Sequence, residues 1–406
     1  MGKMNSSKRR SLVALGGLSV MSLLAAACGS SNSTTSTTTK TQTSTSTASN
    51  SGASTTAASS ASLVSQAKAE IAKYSSQPVF KAPGPPVDAS KLKGKTIMVV
   101  DHDTVSNALV EITKGIQAAG QALGINVAVF NGQATVSTIE QGIQQGINQK
   151  AGAIILVGVA ASLVPSSVSA ANAAHIPVIG VNTGQPDPTA PNQGFGQGMY
   201  GGSAPSYNEL GRLMADTAIV NANGGPINAA EITFDNPISP AVLSGISSVF
   251  KQCSNCKIIT TQDIEPQNWP TKTAGAVSSL ILANPSMNYV FPVVDTIGIF
   301  ASAGVSQAGA AGKVFVVSSD GSSAGTLGLV QKGPVFQADP GLASPWAGWE
   351  AMDQALRAMS GMQPGDPTVP IMYLDKSSLA GANLTNLASV YGNAYVAGYK
   401  TLWGIG

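Results

Sequence analysis

The chain has 406 residues, of which only 10% are charged, and its formal net charge is +2 at pH 7. No basic run follows the first ten residues, so nothing in the sequence could neutralise a series of phosphates, which excludes a nucleic-acid partner. About 310 residues lie from Lys95 onward. That length exceeds one ordinary hydrophobic core and is typical of two lobes.

The N-terminus predicts export. Basic residues up to Arg10 precede an apolar stretch from Leu12 to Ala27, which is shorter than the ~20 residues of a membrane-spanning helix. Small residues then lead into Cys28, a run that resembles the lipobox of bacterial lipoproteins except that Ala25 stands where a large aliphatic is usual. Residues 1–28 are therefore predicted to be a lipoprotein signal peptide, with Cys28 lipidated. The alternatives are a lone cysteine in a signal helix and, for the route, Sec or twin-arginine export.

Residues 29–94 are predicted to be a disordered Ser/Thr-rich tether and linker. As far as Ala61 the segment is almost entirely Ser, Thr, Ala and Asn, which cannot bury enough apolar surface to offset the entropy of ordering. A helical patch around Leu63 to Tyr74 and an extended proline-rich stretch from Pro78 to Pro86 follow. The tether would hold the folded body at the outer face of the cell membrane.

Two further cysteines, Cys253 and Cys256, form an even remainder once Cys28 is set aside. In an oxidising compartment they can close a disulfide. Their spacing also fits a redox motif or half of a zinc site, but the sequence holds no second Cys or His pair, and the motif joins a helix to a strand. The disulfide is the favoured interpretation, and no metal site is predicted.

From Lys95 the chain alternates short apolar runs with helical stretches of 10 to 15 residues, the pattern of βαβ units and parallel sheets. Strands are predicted at 96–100, 126–130, 153–157, 177–181, 227–233, 257–260, 289–291 and 314–317. Helices are predicted at 110–123, 138–149, 166–174, 241–251, 273–283 and 297–303. The fold class is α/β, with two consecutive Rossmann-like lobes.

Ligands of open parallel sheets bind beyond the carboxyl ends of the strands, so the residues after each run are the candidates. Most are neutral or acidic hydrogen-bonding groups, and Trp269 adds an aromatic ring, which suits a polar uncharged ligand. Asp and Asn in these places are equally common as helix caps and turn formers. Asp103, Ser106, Asn107, Asn182, Thr183, Asp295 and Asp320 are the candidates of this kind.

Several motifs resemble the sugar-binding periplasmic proteins of ATP-driven importers, the ribose-binding-like type I periplasmic binding proteins that share a fold with LacI-type effector domains. Gln149 to Leu156 looks like the segment before the family's third strand. Asn172 to Ile179 is similar to its A-x-x-A-x-I-P-V-I signature, and Val317 to Gly321 to its V-G-F-D-G motif. The resemblance runs from about Lys95 to about Gly361.

The resemblance implies ligand contacts from Ser106, Asn107, Asn182, Trp269, Asp295, Asp320 and Asp339. The family's usual arginine after the fourth strand is replaced by Thr183, and the arginine expected at 241–244 is absent. Those arginines commonly grip sugar hydroxyls, so the resemblance leaves open a smaller, less polar or non-sugar ligand.

The resemblance also implies a hinge of three crossing strands, near Met199-Tyr200-Gly201, Gln337-Ala338-Asp339 and Pro367 to Ile371. The predicted N-terminal lobe is 95–200 plus 340–368, with the helix of Trp346 and Trp349 returning to it. The predicted C-terminal lobe is 201–339 plus 369–406.

The predicted function is an extracytoplasmic solute-binding protein that captures a sugar-like ligand for an ABC permease, without cofactor or catalysis. No nucleophile elbow, Walker loop or His-x-x-x-His pair is present in the sequence. His102, between Asp101 and Asp103, could be a metal or acid/base centre, but a turn with local hydrogen bonds is favoured. The alternative function is a membrane-tethered sensor that presents a non-sugar ligand to a signalling receptor.

Overall fold

The computed structural model describes residues 60–405, so the predicted signal peptide, Cys28 and the first part of the tether lie outside the described residues. The described chain begins with helix α1 (Ser60–Lys73), whose Leu63, Val64 and Ala67 are buried. These residues belong to the hydrophobic core, and the rest of residues 74–94 also runs along the folded body. The predicted disorder of 29–94 is therefore wrong from residue 60 onward, because an apolar stripe on α1 has a surface to pack on.

The first sheet has five parallel strands in the order β2-β1-β3-β4-β5, of which β1, β3 and β4 are buried apolar runs and the edge strand β2 is partly exposed. Its strands are β1 (Thr96–Asp101), β2 (Asn126–Asn131), β3 (Ala153–Val157), β4 (Val178–Val181) and β5 (Gly201–Ser203). Helices α2 (Asn107–Leu123), α3 (Val136–Asn148) and α4 (Pro165–Ala173) connect them. Gly124 ends α2 with a left-handed φ of 67°, a conformation that glycine adopts without strain.

The second sheet repeats the arrangement, with five parallel strands in the order β10-β9-β8-β6-β7. Its strands are β6 (Ile227–Thr233), β7 (Cys256–Asp263), β8 (Tyr289–Pro292), β9 (Phe315–Val317) and β10 (Phe336–Ala338). Its helices are α5 (Tyr207–Asn221), α6 (Ser239–Phe250), α7 (Trp269–Ala283), α8 (Asp295–Gln307) and α9 (Ala324–Lys332). The predicted α/β class with two parallel-sheet lobes is confirmed.

Three segments cross between the lobes, and they pair with one another. Ala204 N donates to Pro367 O at 3.0 Å, and Ala204 O accepts from Val369 N at 2.9 Å. The second crossing contains β11 (Gly341–Leu342), which pairs antiparallel with β12 (Ile371–Met372) of the third. The first crossing lies a few residues later than predicted, because residues 201–203 form β5 and still belong to the first sheet.

Helix α10 (Ser344–Met359) returns to the first lobe and packs on α2 through glycines. A Cβ on Gly115 would lie 2.4 Å from Pro345 O, and one on Gly348 would lie 2.3 Å from Ile112 O. The backbones approach so closely that no side chain fits between them.

The C-terminal segment also returns to the first lobe, after α11 (Ala388–Tyr391) and through α12 (Ala394–Leu402). Trp403 Nε1 donates to Asp353 Oδ1 at 2.8 Å, and Tyr399 donates to Glu350, both acceptors on α10. Arg357 completes this buried network with a 2.6 Å ion pair to Asp353. The assignment of all of 369–406 to the C-terminal lobe is therefore wrong at its end.

Cys253 and Cys256 form a disulfide in the turn between α6 and β7, with 5.3 Å between their Cα atoms. A bridge that closes so small a loop stiffens the turn and adds little to global stability. In the described residues 60–405, no helix is both long enough and apolar enough to cross a membrane.

Candidate ligand-binding cleft

A cavity of about 520 Å³ lies between the lobes, at the carboxyl ends of both sheets. The first lobe lines it with residues that follow β1, β3 and β4. The second lobe contributes residues that follow β6, β7, β8 and β9. Six of the predicted site residues line this cavity: Asp103, Ser106, Asn182, Thr183, Trp269 and Asp320. They are far apart in sequence and are brought together because parallel strands end at the same edge of a sheet.

Asp103 is held in a turn by its own neighbours. Its Oδ1 accepts from the backbone N–H of Val105 at 2.7 Å and of Ser106 at 3.0 Å, and its Oδ2 lies 2.6 Å from His102 Nδ1. Burial by itself would raise the pKa of Asp103, but these hydrogen bonds and the His102 charge outweigh it and lower the pKa. The geometry agrees with the predicted hydrogen-bonded turn at His102, and this carboxylate is ionised before any ligand arrives.

Asn182 follows β4 with a positive φ of 56°, which asparagine tolerates better than most residues. Its Oδ1 accepts from the Tyr207 hydroxyl. Tyr207 begins α5, directly after the first crossing segment, and is fully buried. Asn182 of the first lobe is therefore held by a residue on the second-lobe side of the hinge. Nothing in the local sequence indicates this contact.

Thr183, which stands where the family's arginine is usual, is 4% exposed, and its Oγ1 has no hydrogen-bond partner in the structure. Asn107 does not line the cavity, contrary to expectation. Its Nδ2 instead lies 3.4 Å from Ser323 Oγ across the cleft, so the two lobes already touch at this point.

Trp269 forms much of the second-lobe wall. Its indole Nε1 donates to Ile264 O at 2.7 Å, and its ring meets Phe234 edge to face, with 5.1 Å between centroids. Only 3% of Trp269 is exposed, so the ring is fixed before binding. A fixed aromatic ring in a cleft wall suits a ligand that has apolar C–H groups, such as a sugar.

Asp295 supports the wall from behind. It is fully buried, and its Oδ2 accepts from Ser322 N at 2.9 Å, Ser322 Oγ at 2.6 Å and Thr326 Oγ1 at 3.0 Å. Burial raises the pKa of Asp295 despite these bonds. Because Asp295 is not among the lining residues, the structure gives it the task of holding the loop after β9, not the predicted ligand contact.

Asp320 points into the cavity from a strained backbone. Its φ is 110°, a value that non-glycine residues rarely adopt and that is found where surrounding structure enforces it. The second crossing segment enforces it here: Asp320 N donates to Pro340 O at 3.1 Å, and Asp320 O accepts from Leu342 N at 3.2 Å. The side chain is 2% exposed, and its Oδ1 has no hydrogen-bond partner.

Asp339 lies on the crossing segment itself, fully buried, and neither of its carboxyl oxygens has a hydrogen-bond partner. Burial, together with nearby Asp295 and Asp320, raises its pKa well above the usual range. It does not line the cavity, so the predicted ligand contact is not what the structure shows. Three buried carboxyls thus lie close together beside the hinge.

The cavity also has lining residues that the sequence reasoning did not single out. Phe234 and Leu163 are apolar, and Ser162 lies in a short turn after β3. Glu265, in the loop before Trp269, also lines the cavity. Ser162 and Leu163 lie well beyond the end of β3, past the residues directly after each strand that the sequence reasoning considered. In residues 60–405, no group of three or more His, Cys, Asp or Glu side chains is arranged to hold a metal ion.

Part of this chain is similar in sequence to a curated protein. A stretch of 103 residues is 28% identical to the D-allose-binding periplasmic protein of Escherichia coli (strain K12); it is 25% of this chain and 32% of that protein. The chain thus matches about a third of the length of this curated relative.

Solved structures show the same fold over almost their whole length. One is an ABC transporter solute-binding protein from Agrobacterium vitis bound with alpha-D-tagatopyranose (TM-score 0.64, 18% identity, covering 71% of this chain and 97% of that one). Another is an ABC transporter periplasmic solute-binding protein from Actinobacillus succinogenes with bound D-allose (TM-score 0.61, 20% identity, covering 70% and 99%). Residues 97–362, about two thirds of the chain, match the family model described as periplasmic binding protein domain, and the chain belongs to this family.

Proposed function

We propose that this protein captures a small polyhydroxylated ligand, a sugar or polyol, in the cleft between its lobes and delivers it to an ABC-type importer. The observation that carries the proposal is the cavity of about 520 Å³, which receives polar side chains from both lobes and one fixed indole ring. Such a volume is typical of a small-molecule site. The sugar-bound solute-binding proteins of the same fold support the ligand class.

Binding would couple to lobe closure through Asp320. Its side chain faces the cavity while its backbone is bonded on both sides to the second crossing segment. A ligand that bridges Asp320 and the first-lobe wall gains contacts only when the lobes are close together. It therefore shifts the population toward the closed form, the form that a membrane partner would recognise.

The same proposal places the protein outside the cytoplasm, with Cys28 lipidated and the Ser/Thr-rich tether between the membrane and the folded body. The name of the curated relative, a periplasmic protein, supports export. An ABC permease is the partner that the ABC transporter solute-binding proteins of the same fold suggest. No reaction is proposed, and the ligand would leave the cleft chemically unchanged.

A thermal-shift screen of the purified protein against pentoses, hexoses, polyols, amino acids and small aromatic acids tests the proposal. A ligand that binds only the folded state raises Tm, and the expected hits are sugars or polyols. Asp320→Ala and Trp269→Ala are each expected to weaken binding of a hit by more than about 1 kcal/mol. Asp263→Ala, on β7 outside the cavity, is the control. A hit only among non-hydroxylated compounds, or unchanged affinity in both cleft variants, would contradict the proposal.

A further inference from the structure

The charge of the cleft is one-sided. Asp103, Asp235, Glu265 and Asp320 line it, whereas no Lys or Arg among residues 60–405 does. His102 is the one basic residue in the lining, and it is bonded to Asp103. Clefts with walls of one sign concentrate ligands of the opposite sign and repel ligands of the same sign. The exposed carboxyl groups at the mouth of this cavity therefore disfavour a carboxylate or a phosphate.

The acidic groups occupy two depths. Asp235 and Glu265 are exposed, at the mouth on the second lobe. Asp320 lies at the floor, 2% exposed, with an Oδ1 that has no hydrogen-bond partner. A buried polar atom without a partner costs free energy that a ligand donor can recover. A charged donor recovers the most, since hydrogen bonds between two ionised groups are roughly twice as strong as neutral ones.

We propose, on the basis of the function given above, that the cleft selects a cationic ligand, a sugar or polyol with a protonated amine, whose ammonium group binds the Asp320 carboxylate. The hydroxyl groups would bond the remaining polar wall, where Thr183 Oγ1 also lacks a partner. Trp269 and Phe234, which pack edge to face in the cavity wall, add aromatic rings, which attract organic cations. Anionic sugars are excluded by the acidic walls.

The surroundings of Asp320 favour the same ligand charge. Asp295 and Asp339 lie near Asp320 within the second lobe. Tyr207 of α5 and Tyr391 of α11 lie near these carboxyl groups. His102 and Asp103 lie across the cleft. Burial and Asp295 raise the pKa of Asp320 well above its usual range. An ammonium ligand stabilises the ionised form, so its binding releases a proton and its affinity increases with pH. A neutral sugar has no such requirement.

Isothermal titration calorimetry of the purified protein tests this with ligand sets that differ only in charge. One set is glycerol, 2-amino-1,3-propanediol and glycerate, whose small acyclic members need no particular ring stereochemistry. The others are glucose, glucosamine and glucuronate, and the corresponding galactose compounds. In at least one set the amine is expected to bind about tenfold or more tightly than its neutral parent, equivalent to about 1.4 kcal/mol, with the anion weakest. The preference should increase with pH as long as the amine stays protonated, and it should decrease with salt.

Asp320→Asn is expected to bring the amine to within about threefold of its neutral parent, whereas the control Asp263→Asn leaves the preference unchanged. Neutral compounds that bind as tightly as the amines would overturn the charge inference and leave the proposed function standing. Putrescine, a diamine without hydroxyl groups, tests the charge inference separately from the proposed sugar function. If it alone binds, with the same dependence on Asp320, the charge inference stands and the sugar function is wrong. If no compound binds, both are wrong.

Discussion

The two lobes treat the carboxyl groups in and beside the cleft differently. On the first lobe, Asp103 accepts two backbone N–H groups and lies against His102, and Asp101 accepts from Thr113 Oγ1 at 2.6 Å. On the second lobe, Asp320 and Asp339 keep oxygens without a hydrogen-bond partner although both are almost fully buried. The first-lobe carboxyl groups are hydrogen-bonded before binding, and these two second-lobe carboxyl groups keep unpaired oxygens.

The difference shows where the protein stores unfavourable free energy. Buried polar groups are normally hydrogen-bonded, and exceptions concentrate at functional sites. Three such atoms, Asp320 Oδ1 and both carboxyl oxygens of Asp339, lie beside the second crossing segment, where Gly341 pairs with Asp320. The first lobe thus presents a preformed surface, and the second lobe presents a strained one that ligand and hinge share.

The largest effect is expected at Gly341. A Cβ there would lie 2.2 Å from Asp320 O, a backbone atom that cannot move aside. Gly341→Ala is therefore expected to lower the free energy of unfolding by about 3 kcal/mol, measured by urea denaturation. Gly275→Ala is the control, because Gly275 is in helix α7 with nothing within 4 Å of its Cβ position. It should gain about 0.5 to 1 kcal/mol. Equal denaturation midpoints in the two variants would contradict the tight fit at the hinge.

Substitutions at Asp103 and Asp339 test whether the carboxyl groups of the two lobes differ in this way. Asp103→Ala removes the acceptor of two backbone N–H groups and should cost about 2 kcal/mol. Asp339→Asn removes a carboxyl that makes no hydrogen bond and should leave Tm unchanged or raise it at pH 8. Differential scanning calorimetry of both variants gives the signs. A similar loss in both would show that the two walls do not differ in this way.

The two lobes are also expected to contribute to the pH dependence of stability in different pH ranges. Burial raises the pKa of Asp101 to about 6, against an ordinary value of 3.8. Between these values the folded state holds a proton that the unfolded state has lost, so stability decreases as pH rises and the decrease ends above about 6. Asp339, raised well above the usual range, continues the decrease at higher pH.

Asp101→Asn should therefore remove up to about 3 kcal/mol of the decrease on the acid side, and Asp339→Asn the part at higher pH. Urea unfolding at a series of pH values measures both. Identical profiles for the two variants would rule out the assignment of each pH range to one lobe.

The smallest effect is expected at Thr183. Unlike the carboxyl groups of Asp101 and Asp103 in the same lobe, its hydroxyl group is not hydrogen-bonded. Because Thr183 Oγ1 has no partner, Thr183→Val should not lower Tm, yet it should weaken ligand binding by about 1 kcal/mol if the ligand bonds this hydroxyl. Thr113→Val, the matched control, loses the bond to Asp101 and should lower Tm without changing affinity. The reverse result would make Thr183 structural.

The sequence by itself determined the α/β class and the positions of most strands, because buried parallel strands are continuous apolar runs and their hydrophobic pattern is local. It also located Asp103, Asn182, Trp269 and Asp320 in the cleft, since residues after such strands meet at one edge. β5, with the sequence Gly201–Ser203, has no apolar run and was missed for that reason.

Only the tertiary structure decided which polar residues face the cavity and which support it. Asp295 and Asp320 have similar positions after strands, yet one bonds the loop behind the wall and the other points into the cleft. The tertiary structure also decided that α1 packs on the folded body and that α12 returns to the first lobe. The partners lie 27 residues apart for Asp295, 50 for Trp403 and more than a hundred for α1, and no local pattern carries such long-range contacts.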